Sequence, residues 1–234
     1  MIAFAVAVST VLSYGIGWLA GVPALIPVLN TAASYPFMVA ALRRGELRTA
    51  VARMLIWALT MGICATLLAY SRPWQAGTLF VNGAQYRNEM FAWVMTGHGA
   101  ESTPSRFIPQ QARDAALFAG LTIVTGGIAS MPMGAVLMNY MGTYVGSLGA
   151  ASSRPLPTLI LGWHPWAVVR VVSFVIIGVA LSAPLLSRVF RTPVDRDASS
   201  RLLAYAGAGL LLDVGLKALC GPAWQRLLLR LVGW

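Results

Sequence analysis

The sequence predicts an all-α protein: a polytopic transmembrane helical bundle of six to seven spans with a Pro/Gly-broken central helix pair. Three observations predict it. Of 234 residues, 58% are hydrophobic and 10% charged, with a mean hydropathy of +0.71, which is more apolar than a soluble domain tolerates. Charge-free stretches at 1–42, 54–71, 115–153, 155–169, 171–187 and 202–212 supply the crossings, since a hydrocarbon core about 30 Å thick takes roughly 20 helical residues. The apolar runs are continuous, whereas barrel strands alternate apolar and polar positions over about ten residues.

Residues 1–50 form an N-terminal hairpin and a basic loop. Met1–Ala20 and Ala24–Leu42 turn at "GVP", where Gly21 and Pro23 break the helix. The charge-free stretch is far longer than the apolar part of a signal peptide and has no basic residues before it, so it is expected to remain as structure. Arg43, Arg44, Arg48 and Arg53 against Glu46 place the next loop, and with it the N-terminus, in the cytoplasm. The main bundle is read as 51–220. Met54–Tyr70 leads outward to a polar exoplasmic segment, 72–114, in which "NEMFAWVM" has the content of a short interfacial helix and "TGHGAESTPSRF" is turn-rich.

The charge-free run from Ala115 to Ser153 is the least ordinary part. As one helix, residues 115–150 would reach about 54 Å, well beyond the hydrocarbon core, and Pro132 divides them. Two short helices meeting near Met131–Met133 are expected. The following crossing, Leu156–Leu186, then ends in the cytoplasm at Arg188, Arg191, Arg196 and Arg201, as the distribution of basic residues favours. A last crossing, Leu202–Cys220, precedes a separate interfacial helix over 221–234, with Trp224 and Trp234 flanking leucines.

The charge balance is +10, from 17 Lys and Arg against 7 Asp and Glu. The basic residues sit at the ends of apolar runs rather than in a stripe, so a membrane and not a nucleic acid is the expected partner. Cys64 and Cys220 stand alone and read as packing residues. There is no GxSxG, HExxH, GxGxxG, P-loop, CxxC or pair of intramembrane aspartates, and therefore no expected catalytic, cofactor or metal site.

Four polar side chains inside the apolar runs form a candidate buried network: Asn139, Arg170, Asp213 and Lys217. Arg170 lies six residues into "HPWAVVRVVSF", where a charge either reaches the headgroups or takes a partner such as Asp213 or Asn139. Asp213 and Lys217 stand four apart, on one helix face. His164, between two tryptophans, reads as the start of a membrane helix in the aromatic belt. Glu89, His98 and Glu101 form a candidate exoplasmic surface site. Gly142-x-x-x-Gly146 and Gly17-x-x-x-Gly21 are small-residue faces that suit homo-oligomer contacts or packing inside the bundle.

From about Arg53 to Lys217 the order of features resembles the stage II sporulation protein M-like (SpoIIM-like) integral membrane proteins. The likeness rests on "LIWALTMGICATLLA", the polar stretch after it, "RDAALFAGLTIVTGGIASMPMGAVLMNYMGTYVGSL" and "LGWHPWAVVRVVSFVIIGVALS". Where that family often has Pro-His-Gly and an acidic residue, this chain has His164-Pro165 and Arg170; Asp213 stands where its last helix often carries an acid. The resemblance implies a non-enzymatic membrane component that acts through partners. The expected function is thus a non-catalytic scaffold or complex subunit of the bacterial inner membrane, with 72–114 as its docking surface for other membrane or exoplasmic proteins. The alternatives are a small-solute transporter or channel whose path runs past 115–150 and a lipid-modifying enzyme using Glu89, His98 and Glu101.

Overall fold

The computed structural model describes residues 1–193 and 195–233. Among them are ten α-helices and no strand: α1 (Ile2–Ala20), α2 (Leu25–Leu42), α3 (Leu47–Ser71), α4 (Pro73–Leu79), α5 (Gly83–Thr96), α6 (Pro104–Thr125), α7 (Ser130–Ala150), α8 (Pro155–Gly162), α9 (Pro165–Phe190) and α10 (Arg196–Val232), with a single 3-10 turn at Ala100–Ser102. Five of them, α1, α2, α3, α9 and α10, are long and apolar enough to cross a membrane.

The first hairpin closes where Gly21 takes a left-handed conformation (φ 65°) and its N–H caps the Gly17 carbonyl, a conformation a β-carbon would oppose. The α3 helix begins at Leu47, seven residues before the apolar run, so Arg48 and Arg53 are helical. Arg53 is buried and donates Nη1–H to the Phe37 carbonyl, at 2.8 Å, which lets a charge sit inside the packed helix pair.

At the centre stands α7, every residue of which from Met141 to Gly149 is buried. Its small-residue face lies against α3. A β-carbon at Gly142 would run into Ala65, and one at Gly146 into the Thr66 carbonyl. The Gly142/Gly146 face is therefore spent inside the chain, where close backbone approach gains dispersion contacts, and is not free for a second copy. Gly17 likewise packs on Ile26.

The α6–α7 connection does not lie at Met131–Met133. It lies at Gly126 (φ 62°) and Gly127 (φ 96°), and it is held by the Tyr35 hydroxyl donating to the Gly126 carbonyl at 3.2 Å and by Thr122 donating to Ser130 at 2.7 Å. Pro132 falls in the first turn of α7, where the missing N–H has no intrahelical partner to lose.

The stretch 156–186 is divided: α8 ends at Gly162 and α9 starts at Pro165 after a turn through Trp163 and His164. Conversely, 221–234 is not a separate helix. From its N-cap, where Asp195 accepts the Ala198 N–H at 2.8 Å, α10 runs unbroken through Pro222 to Val232. Tertiary contacts carry it across the proline: Trp224 donates to the Leu161 carbonyl at 2.9 Å, Gln225 donates to the Val94 carbonyl, and Leu228 is fully buried. Trp234 lies outside the described residues.

Both strongly basic turns are at one end of the bundle, where the Arg43 guanidinium lies 4.8 Å from the centre of the Phe190 ring. At the opposite end Ser153 N–H donates to the Val232 carbonyl at 3.1 Å, and α4, α5 and the 3-10 turn pack against the later halves of α7 and α10.

Candidate functional site

Near the first turns of α9, Arg170 faces α10. Its Nε and Nη2 donate to Asp213 Oδ2 and Oδ1 at 2.8 and 2.9 Å, the bidentate fork that suits a guanidinium and a carboxylate. Asp213 is 1% exposed and also accepts from Gln111 Nε2 on α6. One turn further along α10, Lys217 is 2% exposed and meets Glu101 rather than Asp213, with Nζ to Oε1 at 2.8 Å. The Lys217 ammonium also lies 4.3 Å from the centre of the Phe107 ring, a cation–π contact favoured where water is scarce. Burial alone would raise the Glu101 carboxyl, but the nearby Lys217 and Arg170 cations outweigh it and hold that carboxyl below its usual range.

Of the four polar residues expected to form one network, Arg170, Asp213 and Lys217 do gather. Asn139 does not. Its Oδ1 accepts from the Tyr14 hydroxyl, so it joins α7 to α1 on the far side, and Tyr14 satisfies the buried amide that Arg170 would otherwise have been needed for.

The trio expected as an exoplasmic surface site is likewise not one site. Glu101 turns inward to Lys217, whereas Glu89 and His98 are exposed; Glu89 accepts from Gln85 at 3.0 Å. Among the described residues no group of three His, Cys, Asp or Glu could hold a metal ion. His164 does not face the headgroups either: it is 1% exposed, stacked on Trp166, edge-on to Trp93, and 3.3 Å from the Tyr144 hydroxyl through Nε2. Gln111 and Phe107 were not among the expected site residues; the signal was two glutamines and a phenylalanine at helical spacing just ahead of an apolar run.

These charges line one end of a cavity of about 1010 Å³ between α3 and α7 on one side and α6, α9 and α10 on the other. That matches the upper range of small-molecule sites, about 300–1,000 Å³. The remaining wall is apolar and rich in sulfur: seven of the chain's ten methionines line it, among them Met38, Met54, Met131 and Met138, giving a surface that repacks around differently shaped apolar groups. Along α7 the apolar part runs from Met131 to Met141, about 15 Å at about 1.5 Å per residue, or half of a hydrocarbon core. At the rim, Ile108 and Leu211 are 42% and 76% exposed, so the cavity opens sideways at the level of the bundle surface. No protein-family model, characterised protein or solved structure matches this chain.

Proposed function

We propose that the protein is a non-catalytic membrane component that binds a small amphiphile in this cavity and passes it along, the transport-type alternative of the sequence reading. The carrying observation is the cavity with a charged end and a methionine-rich apolar slot about half a bilayer deep. Such a space matches a molecule with a polar head and one leaflet's length of tail. The residues around it supply no nucleophile with an adjacent base, so binding and release fit them better than bond chemistry.

In this reading α6 and α7 are two further crossings that form a hairpin, giving seven in all. The basic turns at 43–48 and 188–201 face the cytoplasm together with the N-terminus, and the membrane is the bacterial inner membrane. The positive-inside bias supports it, as does the proximity of Arg43 to Phe190.

A second reading is the scaffold, with its resemblance to the SpoIIM-like proteins: the 72–103 segment carries Trp74 and Met95 at 79% and 55% exposure, an outward face that a protein or the headgroup layer can cover.

The test is thermal unfolding in maltoside micelles with zwitterionic amphiphiles of increasing tail length. A ligand that binds only the folded protein raises the melting temperature, so the increase should grow with tail length and level off once the tail fills the slot. An increase abolished by Met138→Trp, which fills the slot, places the ligand in the cavity. No increase at any length removes the carrier reading and leaves the scaffold.

A further inference from the structure

The polar end of the cavity is balanced in charge. Arg170 and Lys217 face Asp213 and Glu101 as two ion pairs, and at the rim Arg113 pairs with Asp114 at 3.1 Å. Adding a net negative or net positive headgroup to a balanced set in a low-dielectric site leaves a charge uncompensated, which is costly. A headgroup with one charge of each sign leaves the balance unchanged.

Two unused hydrogen-bonding groups say which charges they are. Arg170 spends Nε and Nη2 on Asp213; its Nη1 has no protein acceptor among the described residues, and the side chain is 27% exposed where it lines the cavity. That is a donor waiting for an anionic oxygen. Gln111 is held through Nε2 by Asp213, and its Oε1 is buried with no donor. That is an acceptor waiting for an N–H. Glu101 Oε1 is taken by Lys217, which leaves its second oxygen for a cation.

We infer that the cavity is a site for a zwitterionic phospholipid-like amphiphile, its phosphate on Arg170 Nη1 and its primary ammonium between Gln111 Oε1 and Glu101, with the tail along the methionine wall. This rests on the carrier reading above and adds the headgroup class. A primary ammonium supplies N–H donors to Gln111 and Glu101, whereas a quaternary one supplies none.

The probes are single-tailed lysophospholipids of one tail length with phosphoethanolamine, phosphocholine or phosphoglycerol heads, plus free phosphoethanolamine without a tail. Binding to the full chain in maltoside micelles is read by displacement of a tail-labelled fluorescent lysolipid. The expected order is phosphoethanolamine first, tighter than phosphoglycerol by about tenfold or more, with phosphocholine between them and the tailless head unbound at the same concentrations.

In the charge-neutral double variant Arg170→Gln with Asp213→Asn, the three heads, each of which carries a phosphate, should weaken together, while phosphoethanolamine keeps its lead over phosphocholine through Gln111 and Glu101 and tail binding persists. Gln111→Leu, which leaves both ion pairs in place, should bring phosphoethanolamine down to the phosphocholine level, so the headgroup claim survives a failure of the double variant to fold. Equal binding of the three heads by the wild-type protein, or tighter binding of phosphoglycerol, overturns the headgroup assignment and leaves the carrier reading standing. Binding unaltered by Met138→Trp and by Leu210→Trp, from opposite walls, shows that the lipid sits elsewhere and overturns both.

Discussion

Replacing Asp213 with Asn removes the carboxylate that both Arg170 and Gln111 hold. Breaking a fully buried ion pair costs about 3–5 kcal/mol, mostly because the remaining charge stays buried and unpaired. Asp213 is 1% exposed but Arg170 is 27% exposed towards the cavity, so part of the guanidinium stays solvated and the lower end, about 3 kcal/mol, applies. For a chain of this size each kcal/mol moves the melting temperature by about 2–4 °C, so a loss of about 6–12 °C is expected for Asp213→Asn in maltoside micelles. Arg170→Gln, which leaves a buried carboxylate that keeps only Gln111, should cost at least as much. The double variant leaves no charge stranded, so it should be more stable than the sum of the two losses implies, by a coupling within the range of about 0.5–3 kcal/mol seen for residues in contact. Losses that add within about 0.5 kcal/mol would refute the pairing.

Other outcomes follow from the same geometry. Gly146→Val drives a side chain into the Thr66 carbonyl and should destabilise by at least the about 1–3 kcal/mol of an overpacked core; Gly120→Ala, with open space around it, should be neutral or slightly stabilising in the same melting assay. The Glu101 carboxyl is held below its ordinary range by Lys217 and Arg170 despite burial. Its contribution is therefore complete above the unfolded value, about 4.3, and lost as pH falls through the lower folded value. Melting temperature should drop on acidification below about pH 4.3, and Glu101→Gln should flatten that part of the profile. Single cysteines at Ser153 and Ser200, both exposed at opposite ends of the bundle, in a background lacking Cys64 and Cys220, test the topology: an impermeant thiol reagent should label Ser153→Cys in intact cells and Ser200→Cys only after permeabilisation. Labelling of the second in intact cells would overturn the hairpin orientation.

The membrane class and most helix positions were legible because they follow from hydropathy and charge, both of which are local. Boundaries were legible only where a local rule decided them. Gly21 ended α1 as expected, but Pro132 drew attention away from Gly126 and Gly127, since a proline breaks a helix interior and not its first turn. Helix α10 ran past Pro222 because α5 and α8 hold its last turns, a fact absent from its own residues. In the site, the Arg170–Asp213 pair was foreseeable from scarcity: a charge in an apolar helix needs a partner, and few partners existed. The diversion of Asn139 to Tyr14 was not, because a tyrosine near the start of the chain gives no sign of which helix it will face. Nor did anything in "IPQQARDAA" say that Gln111 would reach Asp213. The cavity itself is a property of how α6 and α7 diverge from Gly126–Gly127, and has no sequence signature.

Glu101 hangs from the covering segment between α5 and α6, while Lys217 belongs to the long α10 rod. Their ion pair thus fastens the outer cover to the centre of the bundle. Anything that lifts the segment away must strip a 2% exposed ammonium of its counter-ion, and anything in the cavity that competes for Glu101 makes lifting easier. Thermodynamic linkage makes the two effects equal in size and sign: a partner that grips the lifted segment would tighten the cavity's hold on its occupant by the same factor as the occupant strengthens the partner's grip. Docking at the surface and loading in the membrane would then be two readings of a single equilibrium, with one lysine as the coupling pin.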